Sequence, residues 1–353
     1  MSVILTENYF PNISLMRKIS FYLLIVSLLV FAACKAPVKK GVYSKAAGFA
    51  QGTTYHITYE LPEMTDLQPS IDSILNAFDF SLSSYDTNSV LSKINRNEDV
   101  IVDEMFAVVF KKSYEVFTAS DGIFDITVMP LVNAWGFGPG TRENVNEINI
   151  DSLLEFVGME KVILQNNKVV KSDPRIQLDV NAIAQGYSVD VVSGFLDSLG
   201  SQNYLVEIGG EIRAMGVNPS GNIWRVGIDK PEFGNMIPGA ELEAIVELSN
   251  KSLATSGNYR KYYEENGVKY THSIDPKTGY PAQHSLLSAT IIADDCISAD
   301  AYATVCMVAG LSKSIEILDE HPELDAYLIY GDEAGVYQLF LSSGMKKMIT
   351  EQK

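Results

Sequence analysis

Hydrophobic positions fall into three regimes along the chain. The first is a near-continuous apolar run, Phe21 to Phe31, behind Met16-Arg17-Lys18 and ahead of Ala32-Ala33-Cys34 and the polar stretch Lys35 to Lys40. A basic segment, a short apolar core and small residues before the cut make a secretory signal. The run is too short to span a bilayer, which takes about 20 helical residues. A cysteine directly after Ala-Ala resembles the bacterial lipobox, in which that cysteine carries lipid. The chain is therefore expected to divide into an extension (1–15), a lipoprotein signal (16–33), a tether (34–48) lipidated at Cys34, and one large domain (49–350), exported and anchored to a membrane on its outer side.

In the second regime apolar residues recur every three or four positions, in the third every two. Helical spacing predicts helices over Ile71–Phe80, over Glu104–Ala119 with Phe106, Val109, Phe110, Val116 and Phe117 on one face, and over Ile183–Leu199. It further predicts Cys296–Val308 and Ser312–Leu318 as two separate helices. Strand patterns cover Thr54–Glu60, then Val162–Leu164, Val169–Lys171 and Ile176–Leu178 with a turn at Asn166-Asn167. More follow at Tyr204–Ile208, Ile212–Gly216, Trp224–Ile228, Ala244–Leu248, Lys269–Ser273 and Leu287–Ile292, with a closing hairpin of Ala326–Tyr330 and Val336–Leu341. Strands come in runs between helices rather than in strict alternation, so the expected class is α+β with a largely antiparallel sheet.

Charge narrows the partners. The 353 residues carry 27 basic and 44 acidic side chains, a net of −17. Cleavage before Cys34 would remove Glu7, Arg17 and Lys18, leaving 25 basic and 43 acidic residues. Such a surface disfavours nucleic acid, whose phosphates require clustered Lys and Arg. The histidines, His56, His272, His284 and His321, are too scattered for a zinc site. Cys296 and Cys306 read as core residues, with a disulfide left open.

No GxGxxG, GxxxxGK[ST] or G-x-S-x-G motif is present, so a Rossmann site, a P-loop and an α/β-hydrolase lose support. The informative segments are four. Asp179-Val180-Asn181-Ala182-Ile183-Ala184-Gln185-Gly186 runs from a strand end into a helix; Asp179 can accept hydrogen bonds from a ribose or base, or simply cap the helix. Asp300 and Thr304 stand four apart on one helical face, an arrangement equally readable as a hard-cation site or as an acidic helix start with Asp294 and Asp295 upstream. His272-Ser273-Ile274-Asp275-Pro276-Lys277-Thr278-Gly279 places a histidine and an aspartate at a strand mouth, suited to proton transfer or to holding a turn. The fourth group, Gly122 to Thr127, Ile208 to Glu211 and Ala254 to Tyr259, reads as turns or as close backbone approaches to a ligand.

Eight motifs stand in one order: Gly52-Thr53-Thr54-Tyr55; Ser84-Tyr85-Asp86-Thr87-Asn88-Ser89 with Leu91, Ile94 and Asn95; Gly122 to Val128 with Pro130-Leu131; Asp179 to Gly186; Gly209-Gly210; Ala254-Thr255-Ser256-Gly257; His272 to Gly279; and Asp300 with Thr304. Together they resemble the ApbE family, the FAD:protein FMN transferases, over nearly all of residues 48–345. The resemblance implies a T-fold-like single domain. It implies Mg²⁺-dependent transfer of FMN from FAD to a Thr or Ser of an acceptor redox protein bearing a flavinylation motif, with release of AMP. The alternatives are hydrolysis of FAD to FMN and AMP, or an exported flavin-binding lipoprotein without turnover. By position, the resemblance makes Asp300, Thr304 and the Ala182 carbonyl metal ligands. It makes Gln51, Tyr85, Phe124, Asp125, Ile126, Asp179, Gln185 and Ile274 flavin-dinucleotide contacts, and His272 or Asp275 the catalytic proton carrier. The family often has Lys in place of Gln185, Met in place of Gln51 and Asn in place of Glu207.

Overall fold

Val42–Ala50 (β1) and Thr53–Leu61 (β2) open the described chain as a hairpin, turned by Gln51 and Gly52, both at positive φ (53° and 73°). The computed structural model describes residues 41–139, 149–232, 239, 241–258, 262–265 and 268–352. Cys34 and the segments read as extension and signal lie outside the described residues. The tether read as ending at 48 is corrected: Val42 to Gly48 already pair with β2. Its run of short side chains lacks the bulky alternation that marks a strand, because only Ala46 of the alternating positions is fully buried.

Five helices follow: Gln68–Leu82 (α1), Val90–Asn95 (α2), Glu104–Ala119 (α3), Met129–Ala134 (α4) and Ile150–Leu154 (α5). Then come the hairpin Val162–Gln165 (β3) and Lys168–Lys171 (β4), and the helix Asn181–Ser198 (α6). Strands Tyr204–Ile208 (β5), Glu211–Met215 (β6), Trp224–Asp229 (β7), Leu242–Leu248 (β8) and Lys251–Gly257 (β9) lead to the hairpin Tyr262–Glu265 (β10) and Val268–Thr271 (β11). The chain ends with Leu286–Ala293 (β12), Cys296–Glu320 (α7), Asp325–Gly331 (β13), Tyr337–Leu341 (β14), Met345–Met348 (α8) and Ile349–Gln352 (β15).

The central sheet has eight strands in the order β1-β2-β5-β6-β9-β12-β13-β14, every neighbouring pair antiparallel. The α+β expectation holds. Alternation along the strands sends Tyr55, Ile57, Val206 and Ile208 to one face, where they pack with Val189, Val192 and Leu196 of α6. The opposite face, with Ala214, Leu253, Ile292 and Tyr327, is covered by the smaller sheet β15-β8-β7 through Trp224, Val226 and Leu248.

Two segments differ from their sequence patterns. Ala254 to Gly257, read as a turn, lies in β9 between β6 and β12. Its small and hydroxyl side chains hide the strand signal because α7 packs closely over it. Ile176–Leu178, read as a strand, makes only a single bridge, Gln177 to Val128. The Asn95 amide takes the backbone groups of Leu178 instead, at 2.7 and 2.8 Å.

Helix α7 contains the break that the pattern places between Val308 and Ser312: Gly310 sits at φ 74°, ψ 172°. There His284 Nε2 stands 2.9 Å from the Met307 carbonyl, whose helical partner amide lies beyond the break. Cys296 and Cys306 are both free and buried. Ten positions along one helix separate them by about 15 Å, which no disulfide spans. With 25 residues α7 is long and apolar enough to cross a bilayer, yet it is a core helix, with Ala299, Ala303 and Val305 fully buried.

Helices α6 and α7 touch at Gly186. A Cβ there would lie 2.3 Å from the Cys296 carbonyl oxygen and 2.7 Å from Asp300 Cβ. Overpacking of this kind costs roughly 1–3 kcal/mol. Gly186→Ala is therefore expected to fold but to melt several degrees below the parent chain; thermal denaturation followed by circular dichroism checks this, and an unchanged midpoint would refute the close crossing.

Candidate active site

Asp300 lies four residues into α7, whose first turn is capped twice. Asp295 Oδ1 accepts from the Ser298 amide at 3.0 Å, and Asp190, from α6, accepts from Cys296 N and Ile297 N at 2.9 and 2.8 Å. Asp300 returns the contact: its Oδ2 accepts from Gly186 N at 2.8 Å. In an uninterrupted helix that amide serves the carbonyl of Ala182. The two helices are thus cross-linked by reciprocal carboxylates, with Ala182 beside them.

Burial, with the Asp190 charge added, raises the Asp300 carboxyl well above its ordinary range, against the single Gly186 hydrogen bond. Burial, then the nearby Asp295 charge, lifts Asp190 to about 6, opposed by its two amide donors. A buried carboxylate whose neighbours are one N–H and another acid is a place where a cation is stabilising. Thr304 stands on the same face of α7, its hydroxyl 3.4 Å from Ser256 Oγ of β9. Among the described residues no group of three His, Cys, Asp or Glu side chains could hold a metal. The oxygen set available is leaner: one carboxylate, one hydroxyl and a backbone carbonyl, which suits a hard divalent cation completed by water and substrate oxygens.

These groups open into a cleft of about 1420 Å³, beyond the roughly 300–1,000 Å³ of pockets for drug-sized ligands. Ala182, Asp300, Thr304 and His272 all line it, as do Gln51, Tyr85, Phe124, Ile126, Asp179, Gln185 and Ile274. The residues singled out from the sequence come together from six separate stretches of chain.

The helix start at Asn181 presents a polar end to this cleft. Val180 precedes it without a side-chain cap; Asp179 Oδ1 instead accepts from Asn181 N at 2.9 Å, and Asp179 N donates to the Ile126 carbonyl at 2.7 Å. Tyr85, 64% exposed, stands at the mouth, and burial together with the Asp179 charge raises its phenol pKa. Gln185 Nε2 donates to the Ile208 carbonyl at 3.1 Å, tying the helix to the Gly209-Gly210 turn. Gln51 Oε1 accepts from Ser188 Oγ at 3.3 Å, and the backbone amide of Gln51 bonds the half-buried Asp79, whose carboxyl burial raises.

Two of the expected carboxylates are engaged by the scaffold. Asp275 is absent from the lining of the cleft. Its Oδ1 accepts from Lys277 N at 2.8 Å and its Oδ2 from Thr278 Oγ1 at 3.0 Å, so the carboxylate holds the Pro-x-x-Gly turn, whereas His272 lines the cleft. Asp125 lines the cleft, but its carboxylate faces the scaffold: Oδ1 accepts from Thr127 N and Oγ1 at 2.7 and 2.6 Å, Oδ2 from Met159 N at 3.1 Å. Asp190 escaped the sequence reading altogether, since the amides it caps lie 106 and 107 residues away.

The fold is shared with solved flavin transferases. The Vibrio cholerae flavin transferase ApbE superposes with a TM-score of 0.78 at 33% identity, over 87% of this chain and 99% of its own. The Pseudomonas stutzeri flavinyl transferase ApbE, in its apo form, gives 0.77 at 29% identity, over 89% and 98%. Among sequences, a FAD:protein FMN transferase of Haemophilus influenzae is 36% identical over 355 residues, 96% of this chain and 99% of that protein. One from Vibrio cholerae is 34% identical over 336 residues, 93% and 98%. The ApbE family pattern itself matches residues 51–328. The chain belongs to the ApbE family.

Folded, Asp190 keeps its proton up to about 6, whereas unfolded it releases it near the ordinary 3.8. The folded state therefore binds more protons between those values, and the metal-free chain loses stability as pH rises through 4 to 6. Asp300, raised in the same direction, extends that loss upward. Melting midpoints of the EDTA-treated chain are expected to fall from pH 5 to pH 8, and Asp300→Asn to flatten the slope; equal slopes for the two proteins would contradict the buried-carboxylate account.

Proposed function

We propose that this chain transfers FMN from FAD to a Ser or Thr hydroxyl of an exported acceptor protein and releases AMP. The observation that carries the reading is the convergence, in one cleft, of the Asp300/Thr304/Ala182 oxygen set with His272 and the flavin-contact positions; family membership supplies the reaction class.

The chemistry requires an acceptor oxygen to bond to the FMN phosphorus while the pyrophosphate P–O bond breaks, AMP departing with the bridging oxygen. Asp300, Thr304 and the Ala182 carbonyl would hold Mg²⁺, which supplies charge neutralisation for the phosphates. His272 takes the proton of the acceptor hydroxyl on its imidazole. Its partner in the expected pair, Asp275, is committed to the turn that positions it. Tyr85, Phe124 and Ile126 give the isoalloxazine an aromatic and apolar wall, and Asp179 offers an acceptor for a hydroxyl or ring N–H. Water in place of the acceptor hydroxyl would yield FMN and AMP, the competing outcome.

We extend the proposal to the N-terminus: Cys34 bears lipid and holds the domain at the outer side of a bacterial membrane. Cys34→Ser should then move the protein from the membrane to the soluble fraction, and equal partition of both forms would remove the anchor.

Incubation with FAD, Mg²⁺ and envelope extract is expected to add FMN to a polypeptide, seen by mass spectrometry, with stoichiometric AMP. AMP and free FMN without a modified polypeptide would identify a hydrolase; intact FAD, a carrier. Asp300→Ala should abolish the Mg²⁺-dependent turnover while leaving a cooperative melt. His272→Asn should lower kcat by about 10²–10⁴, the usual contribution of a positioned acid or base, with FAD affinity within a few-fold; retained kcat would exclude His272.

A further inference from the structure

The cleft has two arms. One lies over the start of α6 and the Asp300 face of α7, and holds the flavin and metal positions. The other lies across the sheet, and none of those positions falls in it. Its floor is the side of β2, β5 and β6 that faces β7, formed by His56, Leu205, Glu207 and Ile212, with Leu205 and Ile212 half-buried where they pack against the small sheet. His56 and Glu207 sit directly opposite on β2 and β5, and their side chains meet at 2.9 Å. The wall of this arm is β7, through Arg225 and Gly227.

Strand β7 is the terminal strand of β15-β8-β7 and pairs only with β8. Among the described residues no backbone hydrogen bond crosses its second edge. Edge strands are ordinarily blunted or covered, because their unpaired N–H and C=O groups template another strand. This one lines a cleft and carries a glycine with exposed backbone. Its Arg225 reaches outward to Glu351 at 2.5 Å.

We infer that the sheet-side arm receives the acceptor polypeptide, as an extended segment that adds to the free edge of β7 and lays alternate side chains over Leu205 and Ile212. The inference rests on the flavin-transfer reading, which demands a second, polypeptide substrate reaching the same phosphate. Continuity of the cleft supports this: the two arms join at Gly209, Gly210 and Ser256, beside Thr304. Strand addition draws its affinity from main-chain hydrogen bonds and its selectivity from pockets for alternate side chains. That suits an enzyme that must take a Ser or Thr in a local segment rather than recognise a whole folded partner.

The probe is a polypeptide shown by mass spectrometry to gain FMN from the full-length chain. Leu205→Arg fills the floor of the arm. It is expected to raise the KM for this polypeptide at least tenfold while the dissociation constant for FAD, read from flavin fluorescence, stays within twofold. A photoreactive p-benzoylphenylalanine at Arg225 should cross-link the polypeptide, and the same group at Ile163, exposed and outside the cleft, should not. An unchanged KM, a parallel loss of FAD affinity, or equal cross-linking from both positions would each overturn the inference. If the parent chain modifies no polypeptide, the transferase reading fails first and the inference falls with it; if transfer is intact and only these outcomes fail, the acceptor enters elsewhere.

Discussion

Everything at the site depends on how closely α6 and α7 approach. A glycine at 186 lets the backbone of α7 come against α6, and two carboxylates then exchange places, Asp190 capping α7 and Asp300 reaching the Gly186 amide. Each acid is desolvated by the contact it makes, and both are raised for that reason. The protein thereby keeps a buried carboxylate that hydrogen bonds satisfy only in part. In the proposed reaction a hard cation would complete it. The same crossing fixes where Ala182 and Thr304 stand, so the oxygen donors are placed by packing rather than by a dedicated loop.

That geometry also accounts for an acidic chain handling an anionic substrate. A net charge of −17 governs solubility and long-range repulsion of polyanions. Under the proposed reaction, a cation held by Asp300 and Thr304 would reverse the local sign at the pyrophosphate. Most of the remaining acids are surface groups or caps, Asp295 and Asp275 among them.

Much of this was legible in the residues. Glu104–Ala119 and Tyr204–Ile208 coincide with their strand and helix patterns, and the break at Gly310 falls in the gap between two predicted helices. The cleft gathers nearly every position that the family resemblance assigns. What escaped follows from long-range causes. β1 buries only Ala46 among its alternating positions and β9 is built from small residues under α7, and either condition erases alternation. Ile176–Leu178 looks like a strand until Asn95, more than eighty positions earlier, takes its hydrogen bonds. Asp275 looks like an acid beside a histidine until its own turn claims both oxygens. Spacing reports which residues share a face, not which hydrogen bonds they have already made.

The break in α7 has a mechanical consequence. Residues 296–309 are gripped at one end by Asp190 and at the other by His284, whose Nδ1 accepts from Leu286 N at 3.2 Å while its Nε2 meets the Met307 carbonyl. Both grips come from outside the helix. The half that carries Asp300 and Thr304 is therefore clamped along its axis from outside the helix, while Ser314 Oγ, donating to the Cys306 carbonyl at 3.2 Å, stitches the distal half to it across the break. The register of Asp300 and Thr304 is thus held from both ends of their own half, by partners that belong to other elements of the fold.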